Sequence, residues 1–380
     1  MTAPAIHGTL LALGAEPLPT VHGDFVVHRF HNLAAQHAML VVTIGDVQAS
    51  GPLPARVHSS CVTSEAYGGC DCDCAEQLDA TLAHLAGAGR GAVFYLTQEG
   101  RGAGFVAKAR DRMLVQASGQ RLTTFDAYAC LGLPDDQRRY GEVAAVMRLL
   151  GMTAPLTLLT NNPAKVRALV DEGIVVAGTA PFTLPASPYN RHYLAAKSEA
   201  GHRLRALDGD AAVPPGPVAV AFEPHVVESA PRFVRLASYL LPVRLTTAPV
   251  WFRMQVYFDT VRGVERVVLV LGADDAACPL VRVQPELLLE RFPVRAPTHR
   301  SRWRAAAAAI AAHGAGRVLF VPAADAGDAA AADLLATHVA ARARMLVDGA
   351  APTDGDAALA AALVRRGVAT EVPLVLEAAA

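Results

Sequence analysis

The sequence predicts an α/β fold, and two observations carry that prediction. Short apolar runs bounded by turn residues alternate with segments whose apolar residues recur every three or four positions, which is the pattern of strands leading into helices. The 380 residues are 52% hydrophobic and 18% charged with a net charge of -1, a balance that suits packed cores and not a disordered chain. At roughly 150 residues per unit, the length predicts two or three domains.

Taken in order, FVVHRFHNLAAQHAMLVVTIGDV from Phe25 to Val47 predicts two strands around a polar turn, the second a β-branched run suited to a buried position. AEQLDATLAHLAGAG, ending at Gly89, has helical spacing and closes on glycines. AVFYLT is then a strand, QEGRGAG a loop and FVAKARDRMLVQA a helix. LPDDQRRYGEVAAVMRLLGM, from Leu133 to Met152, opens with proline and acids and closes at Gly151, so it predicts a helix beginning near Asp136. LTLLT, NNP and AKVRALVDEG follow as strand, turn and helix.

Near residue 203 the composition changes, and LDGDAAVPPGPVA predicts a connector. Beyond it the chain echoes itself. The stretch Phe25–Gly45 parallels Phe252–Gly272, PLPARVH at 52–58 parallels CPLVRVQ at 278–284, and LAGAGRGAVFYL at 85–96 parallels AHGAGRVLFV at 312–321. The second copy lacks the chemistry of the first: Leu287 falls where Cys61 should be, no cysteine pair precedes the helix around Trp303, and PAADAGD replaces TQEGRGAG. The expected division is 1–205, a connector at 206–216, and a degenerate non-catalytic repeat at 217–380.

Charge and hydropathy limit the functions available. No long basic run offers a footprint for a phosphate backbone, so nucleic acid is not an expected partner, whereas a pocket for one small anion remains open. The first residues have no basic segment ahead of their apolar stretch, and no apolar run reaches the roughly 20 residues that span a bilayer. The expected location is the cytoplasm, with no membrane partner. In a reducing compartment, clustered cysteines point to metal or catalysis before disulfides.

Cys61, Cys70, Cys72 and Cys74 form such a cluster. Three thiolates suit Zn²⁺ with a vacant fourth position, the arrangement of a catalytic site; with Cys70 the cluster offers four sulfurs and a closed structural site. Three cysteines at alternate positions converge on one ion only if the backbone bends sharply. In QEGRGAG, Gly100, Gly102 and Gly104 permit backbone N–H groups to approach an anion at a helix start, with Arg101 beside it. Thr160 at a strand end and Lys165 on the next helix stand where open α/β sheets bind ligands.

RVHSSC, C-D-C-x-x-Q-L, QEGRGAG, LG-x-x-x-D-x-R, TNNPAK and NRHYLAAKSEAGH occur in one order, after PLPTVHGDF. Over about residues 15–202 this resembles the GTP cyclohydrolase II family. The resemblance implies that family's three-layer mixed sheet, followed by a second diverged α/β domain of the same fold. It implies zinc ligands at Cys61, Cys72 and Cys74, leaving Cys70 aside. It implies nucleotide contacts at Arg56, Val57, His58, Ser59, Ser60, Gln77, Glu99, Gly100, Arg101, Arg112, Thr124, Thr160 and Lys165. Asp136 matches the family's proton acceptor and Arg138 its nucleophile toward the α-phosphate; an arginine is normally protonated, so an electrostatic role for Arg138 also stands.

The implied reaction opens the imidazole ring of GTP at C8 by hydrolysis. It releases formate and pyrophosphate, with Mg²⁺ on the phosphates, in the manner of riboflavin biosynthesis. Arg112 stands in place of a family tyrosine and Asp71 in place of an arginine. These departures keep two enzyme outcomes in view, a reaction that stops at the formylamino compound and a paralogue that opens another purine or pyrimidine nucleotide or base. A zinc-stabilised nucleotide-binding scaffold without turnover is the non-enzymatic alternative. The resemblance also implies a homodimer, for which the fused repeat offers an intrachain pseudo-dimer instead.

Overall fold

In the computed structural model, residues 6–204, 207–220, 223–227, 230–245, 248–295, 299–348 and 353–376 are described. They carry two mixed sheets of eight strands each. The first contains β1 (Ile6–His7), β2 (Leu10–Thr20), β3 (Gly23–Asn32), β4 (His37–Ile44), β5 (Leu53–Ser59), β6 (Gly91–Leu96), β7 (Leu156–Leu159) and β8 (Val176–Ala180). The second contains β9 (Glu223–Val227), β10 (Ala230–Val243), β11 (Val250–Asp259), β12 (Val264–Leu271), β13 (Leu280–Glu286), β14 (Gly316–Pro322), β15 (Arg342–Val347) and β16 (Ala369–Val375). The spatial order is β1-β2-β3-β4-β6-β5-β7-β8 in one and β9-β10-β11-β12-β14-β13-β15-β16 in the other, so the two topologies are the same.

Strand alternation builds the layers. Along β4, Met39 and Val41 join Val143 and Met147 of helix α5 (Gly141–Leu149), while Leu40 and Val42 join Leu78 and Leu82 of helix α2 (Cys74–Ala88) on the opposite face. A strand apolar on both sides is stable only between two helix layers, which is why the β-branched run reads as continuous. The repeat extends to single residues. Ile44 pairs with Gly91 as Leu271 pairs with Gly316. Gly45 and Gly272 have φ of +66° and +79°, and a Cβ on either would lie 2.2 or 2.7 Å from the carbonyl oxygen of Gly89 or Gly314. Only glycine fits both the left-handed backbone and that approach.

The halves differ in what they insert. After β5 the first half has helix α1 (Val62–Glu65) and the cysteines; after β6 it has α3 (Phe105–Ala117) and α4 (Thr124–Cys130) before α5, then α6 (Pro163–Asp171) and α7 (Arg191–Glu199). The second half has α8 (His299–His313), α9 (Ala329–Ala336) and α10 (Asp354–Arg365), with nothing in the places of α3 and α4 among the described residues. Strand register equates Arg282 with Arg56, but the Arg282 guanidinium is occupied by Gln284 at 2.8 Å and Asp348 at 2.6 Å. Residues 207–220 form no helix or strand; the expected boundary at 205–206 lies outside the described residues.

The two halves meet about a local two-fold. Cys70 N–H donates to Pro242 O at 2.9 Å and Arg295 N–H to Pro19 O at 3.1 Å; Arg244 N–H donates to Gly68 O and Val21 N–H to Pro293 O, both at 2.9 Å. Tyr67 packs at a tilt on Phe320 with centroids 4.2 Å apart, and in the mirrored place Phe292 meets Tyr95 at 5.1 Å. Other contacts have no mirror image. Helix α3 lies on β10, where Gln116 exchanges two hydrogen bonds with the Leu240 backbone at 2.7 and 2.8 Å.

Candidate active site

The cysteine segment leaves β5 and bends through α1 into α2, which places Cys61 at the N-cap of α1 and Cys74 at the first residue of α2. The sulfurs of Cys61, Cys72 and Cys74 lie within 4.8 Å of one another, with Cys61 and Cys72 separated by 3.5 Å. A tetrahedral ion with Zn–S bonds of about 2.3 Å spaces its sulfurs about 3.8 Å apart, so these residues fit such an ion. Cys70 is excluded from the group. Its thiol donates to Pro242 O at 3.3 Å across the seam, and burial pushes its pKa up to about 12.

Beside the sulfurs lies Lys108 of α3, its Nζ 3.0 Å from Cys61 Sγ and 2.7 Å from Glu99 Oε1. Burial works against its charge, but Cys61 and Glu99 outweigh that and hold it protonated. The hydrogen bonds of Cys72 and Cys74, followed by Lys108, hold the Cys61 thiol well below its usual range, whereas those of Cys61 help to raise the other two. The cluster therefore favours the thiolate at Cys61, and a bound cation would favour it at all three. Glu65 is fully buried behind them, accepting from Cys61 N–H at 3.1 Å, His58 at 2.8 Å and Tyr95 O–H at 2.5 Å.

One cavity of about 160 Å³ opens on the sulfurs and is lined by every residue to which the family resemblance assigns a role, but not by Cys70, Gly102 or Gly104. Cations dominate its walls. Arg56 donates to Leu159 O at 3.2 Å and to Gln77, which reaches Asp73; Lys197 holds Asp73 at 3.1 Å. Arg138 chelates Asp136, and Lys165 donates to Val57 O at 2.8 Å, its pKa driven well below normal by burial and then by Arg138 and Arg56. Arg101 has φ of +54°, and its guanidinium lies 3.9 Å from the Phe125 ring with neither Nη hydrogen-bonded. Its backbone is strained and its guanidinium rests on aromatic faces, with the Tyr128 ring at 5.4 Å.

Two expectations are corrected by this geometry. The N–H groups of Gly102 and Gly104 both donate to Glu99 O, at 3.0 and 3.1 Å, so neither is free to approach an anion, and the loop's cation at the cavity is the Arg101 side chain. Asp136 and Arg138 are not on a helix start, because α5 begins only at Gly141. Their segment is held extended by Gln137 N–H to Arg101 O at 2.8 Å and by Gln98 against the Arg139 backbone, contacts between segments far apart in sequence. Gly102 permits the approach, since a Cβ there would lie 2.8 Å from the Gln137 carbonyl carbon. The lining also includes Lys108, Asp111, Tyr193, Lys197 and His202, none of which the sequence reading assigned. Three of them fall in the quoted NRHYLAAKSEAGH motif, which was the available signal.

Arg112 and Asp71 form an ion pair at 3.2 Å, with the Arg112 guanidinium 4.5 Å from the Tyr193 ring. Thr124 donates to Asp111 at 2.8 Å, and burial raises the Asp111 pKa despite Arg112. Burial, then Lys197, Arg138, Lys165 and Arg101, pushes His202 from 6.5 down to about 4. The unfolded chain therefore binds a proton here that the folded one refuses, and this stability contribution, present above pH 6.5, is lost as pH falls toward 4. Comparing urea midpoints at pH 7 and pH 5 for the wild type and His202→Gln, a smaller acid-induced drop in the variant is expected.

The sequence profile of the family described as GTP cyclohydrolase II matches residues 13–181 and 240–360, in two segments that fall on the two sheets. The chain belongs to the GTP cyclohydrolase II family. A GTP cyclohydrolase-2 from Azotobacter vinelandii is 39% identical over 210 residues, covering 55% of this chain and 99% of the relative. One from Pseudomonas putida is 39% identical over 193 residues (50% and 92%), and one from Escherichia fergusonii 40% over 188 residues (49% and 93%). The two matched segments of this GTP cyclohydrolase II family chain are consistent with a repeated domain. Among the described residues no helix is long and apolar enough to cross a membrane.

Proposed function

We propose that the chain is a hydrolase that opens the imidazole ring of GTP at C8 and releases formate and pyrophosphate. Residues 1–205 form the catalytic domain, 206–216 the connector and 217–380 a non-catalytic pseudo-subunit. The observation that carries this reading is the single cavity joining a three-sulfur cluster to the unpaired cation Arg101. Cys61, Cys72 and Cys74 would hold Zn²⁺, which when bound supplies a Lewis acid that lowers the pKa of water.

The other roles belong to the chain's own groups. Lys108 balances thiolate charge, and Glu65 fixes the Cys61 loop through its backbone N–H. Arg101, Arg138 and Lys165 bind the triphosphate together with Mg²⁺, Arg56 and Gln77 brace the floor, and Thr160 and Thr124 close the sides. Val57, His58, Ser59, Ser60, Glu99, Gly100 and Arg112 complete the nucleotide wall. Arg138 is kept protonated because its bond with Asp136 outweighs burial, which favours an electrostatic role on the α-phosphate over a nucleophilic one. Asp136 is held ionised by the same pair, despite burial, and accepts the proton.

A second reading, a paralogue acting on another purine or pyrimidine nucleotide or base, is favoured by the Arg112–Asp71 pair, which puts a paired charge beside the sulfurs. One assay separates the two. With Zn²⁺ and Mg²⁺, mass spectrometry of products from a nucleotide panel is expected to show formate and pyrophosphate from GTP, as the diaminopyrimidinone or its formylamino precursor. Formate from other substrates alone would sink the GTP reading.

A further inference from the structure

We infer that Arg291 of the second copy is a positioning residue for the cysteine loop of the first, acting through Tyr95 and Glu65. This rests on the reading of the three-cysteine cluster as the reactive centre. Arg291 leaves the 3-10 turn Leu288–Arg291, is braced by Glu286 at 2.7 Å, and reaches across the seam to donate to Tyr95 Oη at 3.4 Å. Tyr95 donates its only hydroxyl proton to Glu65 Oε2 at 2.5 Å, so its oxygen is free to accept. Glu65 Oε1 in turn receives Cys61 N–H at 3.1 Å and His58 Nε2 at 2.8 Å. The relay therefore runs from an arginine of one half to the backbone of a metal-ligand candidate in the other.

Its one-sidedness argues for a role beyond packing. The local two-fold pairs Tyr95 with Phe320 and Phe292 with Tyr67, which makes Ala66 the counterpart of Arg291. Phe320 has no hydroxyl and Ala66 no charge. A seam held only by shape would need no charged group at either position; here the relay runs from Arg291 through Tyr95 to Glu65. Glu65 is fully buried and accepts from a backbone amide, an imidazole and a phenol, so the cations that balance it stand one group away, Arg56 through His58 at 3.4 Å and Arg291 through Tyr95. Arg291 supplies a cation one hydroxyl away, and Glu65 in turn fixes the direction of the Cys61 loop.

The test uses the full chain loaded with Co²⁺, whose thiolate charge-transfer bands report the sulfur geometry without substrate. Arg291→Leu is expected to alter those bands, to speed metal loss to a chelator by about tenfold as outer-sphere partners do, and to lower kcat with KM changed less than twofold. Arg291→Lys restores part of each. Tyr95→Phe, a milder change should Arg291→Leu fail to fold, is expected to reproduce the spectral shift, and the double variant to be no worse than either single one. Unchanged bands and chelator rates in the folded single variants, or effects that simply add, would overturn the inference. Because bands and metal loss need no nucleotide, a wild type inert toward GTP defeats the proposed reaction and leaves this test intact.

Discussion

Cys72→Ser protein is expected to fold yet to retain no tightly bound zinc, and to release formate at least about a thousandfold more slowly, roughly 4 kcal/mol of transition-state stabilisation. The reason lies in the geometry of the three sulfurs. Cys72 is fully buried, its sulfur 3.5 Å from that of Cys61, and among the described residues no fourth cysteine joins the group of Cys61, Cys72 and Cys74. Elemental analysis and a formate assay check the result, with circular dichroism to verify folding. Cys70→Ser is the matched control. Cys70 is as buried as Cys72, but it bonds Pro242 O across the seam, and serine keeps a donor there, so metal content should stay at the wild-type level. If Cys72→Ser unfolds the chain while Cys70→Ser removes the metal, the assignment of ligands is wrong.

Trp303→Ala is expected to lower the unfolding free energy by about 3–5 kcal/mol, the cost of emptying a large aromatic site that cannot collapse. Trp303 is 1% exposed, packs edge-on against Phe252 and Phe320, and donates its indole N–H to Tyr67 O at 2.9 Å. Its removal leaves a cavity on the seam and a Tyr67 carbonyl without that donor. Equilibrium denaturation in urea, followed by fluorescence of the remaining Trp251 and by circular dichroism, measures the loss. A change under about 1 kcal/mol would mean that the halves do not share a core.

Much of this was legible in the sequence because it depends on local pattern. Strand and helix alternation gave the layers, the paired segments Phe25–Gly45 and Phe252–Gly272 gave the repeat, and the cysteine spacing gave the cluster. What escaped depends on contacts between distant segments. Asp136 and Arg138 were assigned to a helix start because Pro134 and its acids are good helix openers, whereas the loop at 98–104 holds them extended. Helix α4 went unrecognised although Thr123 and Asp126 form a capping box, since seven residues carry too little periodicity. Lys108 reads as an ordinary helix lysine until α3 packs it against Cys61, 47 positions away. The exclusion of Cys70 likewise requires the second half, 172 positions downstream.

The paired contacts between the halves have a consequence for how the molecule responds to concentration. Surfaces joined by one backbone meet at a fixed effective concentration set by the tether, in the millimolar range for short flexible connections. Diluting the protein therefore does not pull this seam apart, and specific activity should stay level over dilutions that would dissociate two separate chains.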